Sequence, residues 1–140
     1  MRQNSRYDSS KDAFAKAERL NLKQDISALF NSGMAMQNMD VPARLIYRII
    51  DTNSEAPVKV LISIPRKTVR KASRRNKLKR MFRETYRRHK HELISLMADQ
   101  EKTLHLAFIW QSDANISRAQ MESKIILTLD RLKHTILKSL

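Results

Sequence analysis

A chain of 140 residues has room for one modest hydrophobic core and not for two comfortable ones, and 41% apolar residues with one glycine and three prolines fit a compact fold rather than a disordered one. Twenty-eight Lys and Arg against 14 Asp and Glu leave a net charge of +14, so the expected partner is a polyanion. No apolar run approaches the roughly 18 residues of a spanning helix, the polar stretch Met1 to Ser10 lacks the apolar middle of a secretory signal, and the absence of cysteine excludes disulfides and thiolate metal sites. A cytoplasmic protein without a membrane partner is the expectation.

Residues 1–18 mix Arg2, Arg6, Lys11 and Lys16 with Ser, Asn and Asp and read as a flexible basic and polar extension, leaving 19–140 as a single domain. A first helix is signalled by Asn21 as N-cap with Gln24 three residues on, by Leu22, Ile26, Leu29 and Phe30 on one face, and by Gly33 as its stop. Residues 34–42 hold a weak strand before Pro42. Arg44 to Asp51 alternates, with Leu45, Tyr47 and Ile49 on one side and Arg44, Ile46, Arg48 and Ile50 on the other, which is the period of a strand. Turn formers from Asp51 to Pro57 then lead into a second alternating run, Val58, Val60, Ile62 and Ile64, so the two strands read as a hairpin.

Residues 66–90 carry thirteen basic side chains and one acid, Glu84, which places +12 of the net +14 in one segment. At about 100° per residue, Leu78, Phe82, Thr85, Tyr86, His89, Leu93 and Met97 share an arc that faces a core. Asn76, Lys79, Arg80, Arg83, Arg87 and Lys90 share a neighbouring basic arc, and Lys77, Glu84, Arg88 and His91 a mixed one. Like charges spaced i, i+3 and i+4 cost a few tenths of a kcal/mol per pair in an isolated helix, so this strip calls for an anion to offset it. Arginine outnumbers lysine here eight to five, and its planar fork holds a phosphate bidentately or stacks on a base. Beyond it, Leu104 to Trp110 reads as a strong strand. Ser117 with Gln120 forms a capping box for a last helix whose Met121, Ile125, Leu129, Leu132 and Ile136 fall at helical spacing.

The run from Pro65 to Arg88 resembles the signature of the bacterial ribonuclease P protein family: a basic pair, Arg66 and Lys67, then Ala72, then Arg75-Asn76-Lys77-Leu78-Lys79-Arg80-Met81-Phe82-Arg83 on a helix. A looser likeness extends from about Arg19 to Lys133. The resemblance implies an α+β fold, a two-layer α/β sandwich like that of ribosomal-protein domains, ordered α-β-β-β-α-β-α, with a left-handed β-α-β crossover. It also implies that the chain is the accessory subunit of an endoribonuclease. The partners are then the catalytic RNA, which removes the 5′ leader of precursor tRNA with magnesium ions, and the precursor tRNA itself. The protein supplies no catalytic residues and binds no cofactor of its own.

Carried over by position, RNA contacts fall to Arg66, Lys67, Arg70, Lys71, Arg74, Arg75, Asn76, Lys79, Arg80, Arg83 and Arg87, and a cleft for the single-stranded leader to Ile26, Phe30 and Tyr47. The chain departs from the family where Ile26 replaces an aromatic, Leu61 a glycine, Lys77 an arginine, and Trp110-Gln111 a basic residue. The acids Asp51, Glu55, Glu84 and Asp113 are scattered singly, which argues against a self-sufficient metal nuclease. His89 and His91 point to different helix faces, which argues against a metal site. No small helix and turn precede the basic helix, so DNA is not the expected partner. The rival reading is a ribosomal or other structural RNA-binding protein without a processing role.

Overall fold

A computed structural model describes residues 16–36 and 41–140. A 3-10 turn (Lys16–Glu18) leads into α1 (Lys23–Ser32), β1 (Met34–Met36), β2 (Ala43–Ile50), β3 (Val58–Ser63), α2 (Ala72–His89), α3 (His91–Asp99), β4 (Thr103–Trp110) and α4 (Arg118–Ser139). The element order is the expected one, with the basic helix followed by the short α3. At the joint between them stands Lys90. Of the anticipated N-terminal extension, residues 1–15 lie outside the described residues. Residues 16–18 belong to the fold, since Glu18 is fully buried.

One mixed sheet runs β1-β2-β4-β3. β2 is antiparallel to both β1 and β4, whereas β3 and β4 are parallel and joined through α2 and α3. The expected β2–β3 hairpin is therefore absent, because β4 lies between them. The reason is apolar content on both faces: β4 reads Thr-Leu-His-Leu-Ala-Phe-Ile-Trp and all but Ile109 is buried, so it takes the central position with a neighbour on each side. β2 and β3 each keep a more polar face. The turn residues at 51–57 do reverse the chain, since β2 runs antiparallel to β4 and β3 parallel to it, but β3 comes to lie one place beyond β4 instead of beside β2.

Alternation sorts the sheet's side chains into two layers. Leu45 and Tyr47 of β2, Val58, Val60 and Ile62 of β3, and Leu104, Leu106, Phe108 and Trp110 of β4 point inward. There they meet Leu78, Met81, Phe82 and Tyr86 of α2, Leu93 and Met97 of α3, and Met121, Ile125, Leu129, Leu132 and Ile136 of α4. The Phe82 ring tilts against Phe108 at a centroid distance of 4.7 Å. Opposite, α1 lies across the outer face on a smaller cluster of Leu20, Leu29, Ile46 and Ala107, joined by Ile26, Leu61 and Ile109.

α4 opens as its sequence predicts: Ser117 Oγ accepts from the Gln120 amide at 3.1 Å while Gln120 Oε1 accepts from the Ser117 amide at 2.9 Å. α1 does not. Its N-cap is Leu22, one residue past the expected Asn21, with no side-chain cap bond. It ends at Gly33, whose amide donates to the Leu29 carbonyl at 2.8 Å.

Candidate nucleic-acid interface

The basic stretch divides into a loop and a helix. Residues 65–71 leave β3 and carry Arg66, Lys67, Arg70 and Lys71, all exposed. Two amides, those of Thr68 and Val69, donate to the Pro65 carbonyl at 3.0 and 3.1 Å, and the Val69 side chain is fully buried. The loop is thus a tight turn pinned by one apolar plug.

Within α2, Leu78, Met81, Phe82, Thr85 and Tyr86 are buried. Helical geometry then directs Asn76, Lys79, Arg80, Arg83 and Arg87 away from that face toward solvent. Asn76, Arg80 and Arg83 are exposed, and Lys79 and Arg87 are half-buried. The third face meets α4 and the loop before it. Arg118 Nη1 lies 2.6 Å from Glu84 Oε2, and Arg88 Nη1 lies 3.4 Å from Glu122 Oε2, the same oxygen that sits 3.0 Å from His89 Nε2. His89 and Arg88 accordingly hold the Glu122 carboxyl below its ordinary value.

Not every cation of the stretch is presented outward. Arg74 is clasped by the loop between β4 and α4, donating to Asp113 Oδ1 at 2.6 Å, the Asp113 carbonyl at 2.7 Å and Asn115 Oδ1 at 3.1 Å. Arg75 donates from Nη1 to the carbonyls of Val69 at 2.9 Å and Arg70 at 2.7 Å. Lys90, placed by the helical wheel on the basic arc, is fully buried and holds both carboxylate oxygens of Glu18, at 2.9 and 3.0 Å. The wheel could not see this, because Glu18 lies 72 positions away. By contrast Arg66, Lys67, Arg70, Lys71, Lys77, Lys79, Arg80 and Arg83 form no ion pair among the described residues. Their field is uncancelled locally, and all but Lys77, which stands on the face of Glu84 and Arg88, are carried by one loop and one helix face.

A second polar surface lies under and beside α1. On the outer face the strands bring residues into rows: Arg44, Ile109 and Ser63; then Ile46, Ala107 and Leu61; then Arg48, His105 and Lys59. The middle row is the floor of the small apolar cluster. Of the outer two, the row Arg48, His105 and Lys59 is polar and cationic throughout, and the other adds Arg44 and Ser63 on either side of Ile109. Ile26 packs on the cluster, half-buried, and Phe30 is 44% exposed, so both expected α1 positions belong to this surface. Tyr47 does not. It is 4% exposed in the main core on the opposite side of the sheet, and its neighbour Arg48 occupies the outer face instead. One position along a strand exchanges the faces. Two departures from the family pattern, Ile26 and Leu61, meet in this same cluster.

Arg48, Lys59 and His105 went unassigned from sequence, although the alternation that marks Leu45 and Tyr47 as inward also marks Arg48 as outward. His105 is 4% exposed, and its Nδ1 is buried without a hydrogen-bond partner among the described residues. Burial pushes its pKa below the usual 6.5; nearby Asp25 opposes this, and Lys59 and Arg48 add to it. Among the described residues, no group of three or more His, Asp or Glu side chains is arranged to hold a metal ion, and no helix is long and apolar enough to cross a membrane.

Comparison with known proteins bears on the same segments. The profile of the family described as Ribonuclease P matches residues 14–133. The ribonuclease P protein component of Porphyromonas gingivalis is 33% identical over 116 residues, covering 79% of this chain and 83% of its own length. That of Chlorobium phaeobacteroides is 38% identical over 88 residues, covering 61% and 59%. Among solved structures, the RNase P protein of Staphylococcus aureus shares the fold with a TM-score of 0.59 at 21% identity, over 84% of this chain and 97% of its own.

Proposed function

We propose a division of labour for this chain, which belongs to the ribonuclease P protein family: the basic helix and its leading loop bind the catalytic RNA, and the outer sheet face beside α1 holds the single-stranded leader of precursor tRNA. The observation that carries the first half is the set of eight cations on the 65–71 loop and α2 that form no ion pair among the described residues, set against the carboxylate-paired Arg74, Arg88 and Lys90. Each phosphate met by such a side chain releases condensed counterions, and six to ten contacts cost about 10³ to 10⁵ in affinity between 50 and 200 mM salt. Ribosomal or purely structural RNA binding would use the same electrostatics; membership of the family favours the processing role.

For the leader, an exposed aromatic on a face that also carries cations is the arrangement by which single strands are held without base-pair readout. Phe30 offers the ring, and Arg44, Arg48 and Lys59 the charge. In this reading the protein is an accessory, hydrolysis belongs to the RNA, and the magnesium ions are bound there.

Reconstitution tests this reading. The purified protein, supplied with magnesium, is expected to leave precursor tRNA intact. Added to a ribonuclease P RNA, it should lower the magnesium concentration needed for cleavage. Processing by the protein and metal without that RNA would overturn the assignment.

A further inference from the structure

The two arginines that stand together near the start of α2 both have guanidinium groups engaged by the protein itself, beside a loop whose own cations form no ion pair among the described residues. For Arg75 the acceptors are informative. Val69 and Arg70 lie at the end of the 65–71 loop, just before the helix, and their carbonyls belong to no strand or helix ladder. Outside a ladder such carbonyls take a donor from water or from a side chain. Arg75 supplies it, directing Nη1 at both.

The consequence concerns what the loop carries. Its first half closes on the Pro65 carbonyl, its middle is plugged by Val69, and its last residues are held by Arg75. Four cations, Arg66, Lys67, Arg70 and Lys71, project from this frame with no ion pair among the described residues. Left to themselves they repel one another and spread. Both bonds leave one nitrogen, Nη1, whose two N–H groups are fixed in the guanidinium plane and which stands one bond farther from the backbone than a lysine Nζ, so an ammonium on its flexible stem holds the two carbonyls less well.

We propose that Arg75 is a positioning residue: it locks the 65–71 loop so that Arg66, Lys67, Arg70 and Lys71 meet RNA phosphates as one set, and its contribution to binding passes through that loop. The proposal rests on the reading of this face as an RNA interface, and it separates from that reading by experiment.

Two measurements are needed. In the free protein, amide hydrogen exchange at Thr68 and Val69 should rise on the order of tenfold in Arg75→Lys and Arg75→Gln, the effect of losing two ordinary hydrogen bonds. With a ribonuclease P RNA transcript, binding is followed across a potassium chloride series. Arg75→Lys keeps the charge, so a direct phosphate ligand would leave the salt slope unchanged. A positioning role predicts a fall greater than the roughly 0.7 to 0.9 of a single contact. It also predicts that Lys67→Ala with Arg70→Ala costs less in the Arg75→Lys background than in the native chain. An unchanged slope in Arg75→Lys, additive losses, or unaltered exchange in the free protein would each overturn the proposal. Arg80→Ala serves as the control on the underlying reading. If it changes neither affinity nor slope, the RNA interface itself has been misplaced and the inference falls with it, even where the loop has loosened.

Discussion

At Gly33 the backbone has φ −75° and ψ 162°, extended values open to any residue, so this chain's one glycine is not there for a left-handed turn. What it lacks is space. A Cβ would meet the Leu29 carbonyl and stand 2.7 Å from Ile46 Cγ2, where α1 turns down onto β2. Gly33→Ala should therefore destabilise by about 1–3 kcal/mol, the usual cost of overpacking, read as a lower denaturant midpoint. His105 makes a prediction of opposite character, in which nothing is crowded and the cost is electrostatic. Burial holds its folded pKa below 6.5, so on acidification the unfolded chain takes up the proton first. Stability is full above that value and declines as pH falls from it toward the folded pKa. His105→Asn should flatten this part of the stability–pH curve; an unchanged decline would place its origin elsewhere.

Among the elements, the joint between α2 and α3 is held from a distance. Glu18 and Lys90 have side-chain exposures of 1% and 0%, so neither charge has water to fall back on. Beside Glu18, Arg19 bridges to Val60 and the Leu20 amide donates to the Val60 carbonyl at 3.0 Å, which lays this segment along the edge of β3. One ion pair thus ties the start of the fold to the end of the basic helix. Removing Lys90 takes from the buried Glu18 carboxylate the ammonium that grips both of its oxygens, at a cost of about 3–5 kcal/mol, whereas replacing both by apolar groups is often neutral. Lys90→Met alone should lower the denaturant midpoint sharply, and adding Glu18→Leu should recover most of the loss. Additive losses would show that the pair contributes packing rather than compensation. The remaining elements are explained locally: α4 by its capping box, and α2 by an apolar face whose buried members include Met81 as well as the expected Leu78, Phe82, Thr85 and Tyr86.

At the scale of the whole molecule, the sheet separates two charged surfaces. The loop and α2 belong to the helical layer on the inner face, while Arg44, Arg48 and Lys59 lie on the outer face with α1. Asp113 and Asn115 hold Arg74 where the 65–71 and 111–117 loops leave neighbouring strand ends, Ser63 being paired with Ile109. The basic segment, the element order, the strand alternation and the closing capping box were all legible in the residues themselves, because periodicity, charge and capping act between neighbours in the chain. The resemblance to the family was carried by the same contiguous run. Three things depended on partners distant in sequence. β4 displaced the expected hairpin, since strands adjacent in the chain need not pair and only assembly inserts a third, more apolar strand between them. Tyr47 turned inward while Arg48 took the outer face, since a strand's parity is assigned to a side only once the helices have packed. Lys90 left the basic strip for Glu18 and Arg75 for two loop carbonyls, because a cation's acceptor is decided by what the fold brings within about 3 Å, and composition records only that the charge exists.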